Sequence, residues 1–132
     1  GWAGLSLLEA RPEILVVGKV SHDQLFQHGS AIIHHGGAGT TASALHAGVP
    51  QVIIPHFGDQ FLWAREIRRL RTGIRIRRKR WPERLAAAVQ HVEGSSTLPR
   101  RARELADTLA TEDGPGNAVR ALEQLLATTK AE

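Results

Sequence analysis

Short apolar runs alternate with helical patterns over roughly the first 80 residues of the chain. Four runs rich in β-branched residues predict buried strands, because they are apolar throughout rather than alternating with polar positions. These runs are Ile14–Val17, Ala31–Ile33, Val52–Ile54 and Ile74–Ile76. Helices are predicted between them, from Ser21 through Phe26, over Thr40–Ala47, and after Asp59, where Ser21 and Asp59 are suitable N-cap residues.

Strands that alternate with helices at this spacing predict βαβ units and a parallel sheet with both faces covered. The predicted fold is therefore α/β, a Rossmann-like three-layer unit. Three amphipathic helices are predicted to follow, over Trp81–Val92, Pro99–Ala110 and Pro115–Thr128. The last of these is expected to turn Leu122 and Leu126 toward the interior.

Composition excludes several classes of protein. The chain has 132 residues, 42% hydrophobic and 23% charged, and no Cys, so disulfides and thiolate metal sites are excluded. No apolar run approaches the ~20 residues that span a membrane, and no signal peptide is recognisable in the opening GWAGLSLLEARPE. A cytoplasmic location is therefore expected, with membrane association left open.

Most of the formal net charge of +4 comes from one basic run. Between Arg68 and Arg80 the chain carries eight Arg or Lys residues and no acid. Such a run could contact an anionic membrane surface or nucleic acid, or it could be the solvated end of a helix and an edge strand. No aromatic residue interleaves it, which disfavours a single-strand nucleic-acid binder, and no nucleic-acid partner is expected.

A glycine turn, HHGGAGTT at residues 34–41, follows the second predicted strand. In parallel α/β sheets, ligands bind outside the carboxyl ends of the strands. Gly36, Gly37 and Gly39 allow the backbone to approach a ligand, and a helix that starts near Thr40 offers N–H groups to an anion such as a diphosphate. The pattern is not GxGxxG, so a plain strand-to-helix turn with two incidental histidines stays open as an alternative.

A second loop, PHFGDQ at residues 55–60, follows the third predicted strand. Its Asp59 and Gln60 present a carboxylate and an amide, groups that suit sugar hydroxyls because these both donate and accept hydrogen bonds. The alternative makes Asp59 a helix cap and Gln60 an exposed residue of the first turn. The seven histidines have no metal-binding spacing and no serine lies in a nucleophile elbow, so neither a metal site nor a serine triad is expected.

The motifs HHGGAGTT, HAGVPQVIIP and FGDQ, with VSHDQLF at residues 20–26, resemble the donor-binding C-terminal domain of GT-B UDP-glycosyltransferases. Sterol and lipid glucosyltransferases and bacterial antibiotic glycosyltransferases are the most similar groups, over about residues 14–75. The resemblance implies that the nucleotide diphosphate is held by His34 and by Gly36, Gly37, Ala38, Gly39 and Thr40. It also implies that Asp59 and Gln60 hold hydroxyls of the donor sugar and that His22 lies near the nucleoside.

Three positions depart from the pattern of this family. Lys19 and Ala42 stand where plant members carry a uracil-stacking tryptophan and a ribose-binding glutamate, and Ser21 replaces a proline. Contacts to the nucleobase and the ribose are therefore expected to come from other groups.

The resemblance further implies that residues 1–132 are part of the donor-binding domain of an inverting glycosyltransferase. UDP-glucose is the expected co-substrate, no metal or other cofactor is expected, and the acceptor is expected to be a lipid, a sterol or another small hydroxylated molecule. The catalytic base, with most of the acceptor site, is expected in an N-terminal domain outside this chain, as are the first strands of this domain. The chain alone is therefore expected to be catalytically silent.

Other functions are compatible with the same motifs. A MurG-like transferase or a UDP-sugar epimerase would also bind a nucleotide sugar. In another class, a basic module would bind nucleic acid or an anionic membrane, with Arg68–Arg80 as its surface. Even a glycosyltransferase could use this run for peripheral membrane contact.

Overall fold

The structure, a computed structural model, describes residues 12–129. Its elements in chain order are α1 (His22–Phe26), β1 (Ile32–His34), α2 (Ala38–His46), β2 (Gln51–Ile53), α3 (Gln60–Arg69), β3 (Gly73–Arg75), a 3-10 turn (Arg78–Arg80), α4 (Trp81–Glu93), α5 (Thr97–Ala110) and α6 (Gly114–Thr129). The strands are parallel and lie in the order β1-β2-β3. This confirms the predicted α/β class with a parallel sheet.

Both faces of the sheet are covered by helices. Successive side chains of β2 point to opposite faces, so neighbouring residues of this strand pack in different layers. Val52 packs with Ile76 and with Val92 of α4 on one face. Ile53, the next residue, packs with Ala64 and with Ile67 of α3 on the other. Val52 and Ile53 are completely buried, which explains why this strand reads as apolar throughout and confirms the three-layer arrangement.

The prediction of a strand at Ile14–Val17 is wrong. These residues form no strand, and their side chains are exposed, Leu15 to 86%. Within residues 12–129, β1 pairs only with β2, and no strand lies beside the 14–17 segment. An apolar segment without a hydrogen-bonded neighbour has nothing to hold it in a sheet, so the described sheet has three strands rather than four.

The predicted N-cap positions of α1 and α3 are correct, but the expected capping hydrogen bonds do not form. Ser21 and Asp59 stand at the N-cap positions, but neither side chain makes a capping hydrogen bond. For Asp59 the reason is its backbone, which is helical (φ −66°, ψ −17°) instead of the extended conformation that lets a cap side chain reach back to free N–H groups. The helices themselves form where they are predicted, within about two residues at each end.

The apolar face of α6 is not in the interior as predicted. Leu122 is 60% exposed and Leu126 is 64% exposed. The amphipathic pattern is present, but the described elements do not cover it. None of the described helices has the length and apolar character required to cross a membrane.

Candidate functional site

The two predicted motifs lie on one edge of the sheet, where β1 and β2 end. Two cavities open there, of about 250 Å³ and 440 Å³. The smaller is lined by His34, His35, Ile54, His56 and Trp81, and the larger by His35, His56, Phe57, Gln60 and Arg78. Because His35 and His56 line both, the cavities adjoin each other beside the glycine turn.

Sequence reasoning missed Phe57 and three further residues that line these cavities. His56 lies in the second loop, whereas Arg78 and Trp81 follow β3. The positions of Arg78 and Trp81 were predictable in principle, since residues that follow a third parallel strand lie at the same edge of the sheet as those that follow the first two strands. These two residues were overlooked because the basic run was interpreted as a separate charged surface.

The glycines of the turn have different roles. Gly36 has a φ of +92°, and a Cβ there would lie 2.7 Å from Cγ2 of Ile53, so the fold itself requires glycine. At Gly39 a Cβ would meet no atom of the described residues within 4 Å. Gly36 therefore lets the turn pack against β2, whereas Gly39 leaves open space above the start of α2.

The N-terminus of α2 presents unpaired donors at this edge. Gly37 is extended, and the first backbone bond of the helix runs from the N–H of Thr41 to its carbonyl at 2.9 Å. The N–H groups of Ala38, Gly39 and Thr40 have no acceptor in the described part of the chain. The first turn of α2 also has no acidic residue, so this end of the helix is suited to an anion.

His34 is held by hydrogen bonds at both ring nitrogens. Its Nδ1 accepts the backbone N–H of Gly36 at 3.0 Å, and its Nε2 lies 2.9 Å from Oε1 of Gln51. Because Nδ1 accepts, the ring proton must be on Nε2, which donates to the amide oxygen. Nε2 of the buried Gln51 then donates to the carbonyl oxygen of Thr41 at 3.4 Å. This chain of bonds ties the glycine turn to β2 and to the first turn of α2.

The surroundings lower the pKa of His34. Burial lowers its pKa below the ordinary 6.5, and the positive charges that His35 and His22 can carry lower it further. The hydrogen bond to Gln51 acts in the opposite direction. With both ring nitrogens engaged, His34 holds Gly36 of the glycine turn, and a direct contact of its ring with the diphosphate stays a prediction.

The depressed pKa of His34 predicts that the chain loses stability in acid. As the pH falls below 6.5, the unfolded chain takes up a proton at this ring while the folded chain does not, until the lower folded pKa is reached. Urea denaturation of the wild type and of His34→Gln between pH 8 and pH 5 measures this. The wild type is expected to lose stability more steeply, by at most about 1.4 kcal/mol per pH unit. A difference between the two that does not change with pH would contradict the assignment.

Thr41 carries a buried hydroxyl that has no hydrogen-bond partner within residues 12–129. Thr41→Val replaces this hydroxyl by a methyl group of similar size. It is therefore expected to stabilise the chain by about 1 kcal/mol, because an uncompensated polar atom leaves the interior. Urea denaturation midpoints measure the effect, with Thr41→Ser, which keeps the hydroxyl, as the matched control. A loss of stability in the valine variant would show that a bound water satisfies the hydroxyl.

Gln60 organises the second loop. It is 5% exposed, and its Oε1 accepts the backbone N–H groups of His56 at 2.8 Å and Phe57 at 3.2 Å. The alternative in which Gln60 is an exposed first-turn residue is therefore wrong. Its amide nitrogen has no acceptor among the described residues, so its N–H groups are what it can offer to a ligand.

Asp59 is exposed at the same loop. Its Oδ2 accepts a hydrogen bond from Nε1 of Trp63 at 3.1 Å, one helical turn further on. Its other carboxylate oxygen has no donor within the described part of the chain. The side chain is thus oriented by Trp63 and keeps one acceptor for a ligand.

His22 lies on the nearby helix α1, which packs against α2. Its ring stacks on that of Phe26 with 4.6 Å between the ring centroids. It is close enough to His34 to influence the pKa of that residue. Across residues 12–129, no group of three or more His, Asp or Glu side chains is arranged to hold a metal ion.

Comparisons with known proteins give a consistent set of similarities. Residues 4–125 match the family model described as erythromycin biosynthesis protein CIII-like, C-terminal domain. The chain is 40% identical to sterol 3-beta-glucosyltransferase of Neurospora crassa over 84% of its length, and 39% identical to sterol 3-beta-glucosyltransferase UGT80B1 of Arabidopsis thaliana over 96%. It spans only 7% and 21% of these two relatives.

Solved structures are similar as well. One of them is the spinosyn rhamnosyltransferase SpnG complexed with thymidine diphosphate. It matches with a TM-score of 0.80 and 26% identity, over 90% of this chain and 33% of that one.

Proposed function

This chain belongs to the family of the erythromycin biosynthesis protein CIII-like C-terminal domain, and on that premise we propose that it binds the sugar-nucleotide donor of a glycosyltransferase. The observation that carries the proposal is the start of α2. There the unpaired N–H groups of Ala38, Gly39 and Thr40 adjoin the open space above Gly39. A diphosphate accepts several hydrogen bonds and carries negative charge, so it matches these donors and the positive end of the helix dipole.

The proposal gives a role to several residues at the edge of the sheet where β1 and β2 end. The N–H groups hold the diphosphate, and Arg78 adds positive charge from the neighbouring cavity. Binding without a metal ion is part of this proposal. His34 and Gln51 keep the turn in place.

The sugar is assigned to the second loop. The free carboxylate oxygen of Asp59 accepts from one hydroxyl, and the amide N–H groups of Gln60 donate to another. His22, beside α2, is assigned to the nucleoside side of the site.

The donor and acceptor are proposed from the relatives. UDP-glucose is the proposed donor, because the two curated relatives are glucosyltransferases. Their names also support a sterol or another small hydroxylated molecule as the acceptor. The complex of SpnG with thymidine diphosphate makes a thymidine nucleotide the competing donor. Family membership favours a transferase over an epimerase.

A protein-observed NMR titration tests the proposal. UDP at millimolar concentration is expected to shift the amide signals of Ala38, Gly39 and Thr40, whereas uridine, which has no phosphate, is expected to leave them in place. Parallel titrations with UDP-glucose and dTDP-glucose identify the preferred base. Shifts confined to other parts of the chain, or equal shifts with uridine, would contradict the assignment of the diphosphate to this turn.

The basic run does not favour the competing class of function. A membrane or nucleic-acid module would present Arg68–Arg80 as one surface, but β3 crosses the sheet within this run. Arg68 and Arg71 precede the strand, whereas Arg77 follows it, so the charges are divided between opposite edges of the sheet.

A further inference from the structure

The part of the basic run that follows β3 shares an edge with the glycine turn. The three strands are parallel, so the residues after each strand emerge on the same side. After Arg75 the chain forms the 3-10 turn Arg78–Arg80 and then enters α4. The side chains of this segment contribute to different cavities. Arg78 and Trp81 line the cavities beside the glycine turn. Arg77 and Arg80 line a third cavity.

We name this third cavity the arginine cleft, lined by Arg75, Arg77, Arg80 and Arg84. Its volume is about 460 Å³, within the range of small-molecule sites. Its lining also includes the buried apolar side chains of Ile76 and Ala88. Among the described residues, no Asp or Glu lines the cleft, and none of its lining residues belongs to the two cavities beside the glycine turn.

The positive charge of the cleft is poorly compensated. Arg77 and Arg84 have neither an ion pair nor a side-chain hydrogen bond within residues 12–129. Nε of Arg80 bonds to Glu83 at 2.9 Å, but both side chains are largely exposed, so this pair is weak. The Arg75 guanidinium lies over the ring of Phe61 of α3, 5.1 Å from its centroid, so its charge is on the α3 face of the sheet and the charge of the cleft comes from Arg77, Arg80 and Arg84.

This arrangement differs from the other arginines of the chain. Arg65 and Arg69 pair with Glu66, and Arg100 and Arg101 pair with Glu104. Within the cleft, Glu83 pairs only with Arg80, and Arg77 and Arg84 line the same cavity without an ion pair in residues 12–129. Like charges placed together repel, and an anion that binds between them relieves this repulsion.

We propose that the arginine cleft binds a phosphate monoester group whose attached carbon chain lies on the apolar lining. The guanidinium fork matches phosphate oxygens with paired hydrogen bonds, and a doubly charged monoester can engage more than one arginine. Ile76 and Ala88 provide an apolar surface beside these cations, where electrostatic interactions are less screened than in water. A lipid with a terminal phosphate and a soluble phosphate ester share this chemistry.

The test uses the 132-residue chain, two double variants and defined probes. Arg77→Gln/Arg84→Gln removes two charges from the cleft. Arg68→Gln/Arg71→Gln removes the same charge at the opposite edge of the sheet and is the matched control. Binding of glycerol 3-phosphate is measured by calorimetry. Binding to phosphatidylcholine vesicles is measured by flotation, with either phosphatidic acid or phosphatidylglycerol added to equal surface potential. Circular dichroism melts check that both variants are folded.

The cleft variant is expected to lose binding at least about tenfold, and the control is expected to stay within about twofold. Phosphatidic acid, a monoester, is expected to bind better than phosphatidylglycerol, a diester. Binding to glycerol 3-phosphate alone would identify a soluble ester as the ligand, and binding to phosphatidic acid vesicles alone would identify a lipid. Equal losses in both variants, equal binding of the two lipids, or no binding of any probe at millimolar concentration would overturn the proposal.

Discussion

Replacing Gly39 by valine is expected to weaken the binding of UDP at least about 100-fold while the chain stays folded. A Cβ at this position meets no atom of the described residues within 4 Å, so the fold accommodates the new side chain. If the diphosphate binds at the start of α2 as proposed, a branched side chain at position 39 obstructs its approach to the N–H groups of Ala38, Gly39 and Thr40. Excluding the diphosphate from these donors removes at least two charge-assisted hydrogen bonds, each of which contributes about 1.5–3 kcal/mol.

Calorimetric titration with UDP measures this effect, and a thermal melt confirms that the variant is folded. Gly36→Ala is the contrasting variant, because its Cβ would meet Ile53 and its φ is +92°. That substitution is expected to destabilise the chain itself. UDP affinity that stays near wild type in Gly39→Val would show that the diphosphate binds elsewhere.

Replacing Asp59 by alanine is expected to reduce glycosyl transfer by roughly 10–150-fold, in an active glycosyltransferase that carries this chain. The free carboxylate oxygen of Asp59 would accept a hydroxyl of the donor sugar, and a hydrogen bond to a charged group contributes about 1.5–3 kcal/mol. UDP lacks the sugar, so its affinity is expected to change by no more than about twofold. The comparison of transfer rate with UDP affinity separates the sugar from the nucleotide.

Two variants serve as controls for this prediction. Asp59→Asn keeps an acceptor for Trp63 but loses the charge, so it is expected to be intermediate. Trp63→Phe removes the donor that orients the carboxylate and leaves the carboxylate itself, so its effect is expected to be small. Equal losses of transfer and of UDP affinity in Asp59→Ala would refute the contact with the sugar and indicate that the carboxylate supports the loop instead.

The sequence predicts features that depend on local composition. Val52–Ile54 reads as a buried strand because both faces of β2 are covered, and the glycine turn is recognisable because Gly36 needs a positive φ. Ile14–Val17 has the same composition as a buried strand, but a strand also requires a neighbour, which composition does not encode. The prediction failed there for that reason.

Features that depend on long-range contacts escaped prediction. His34 and Gln51 are 17 residues apart, and only the parallel pairing of β1 and β2 brings their side chains together. The burial of Gln60 likewise depends on how the second loop folds back on α3. The run Arg68–Arg80 was wrongly interpreted as one surface. Its residues are close in sequence, but β3 lies within the run and places its two ends at opposite edges of the sheet.

The two hydrogen bonds of the His34 ring make it a built-in spectroscopic reporter. A ring restrained at both nitrogens stays in one tautomer, so its nitrogen-15 resonances should be separate and sharp rather than averaged. Any event that displaces Gly36 would free Nδ1 and merge these two signals. Movement of the turn could thus be followed on the native chain, without a label at Gly39 or any other position where a probe would obstruct the site.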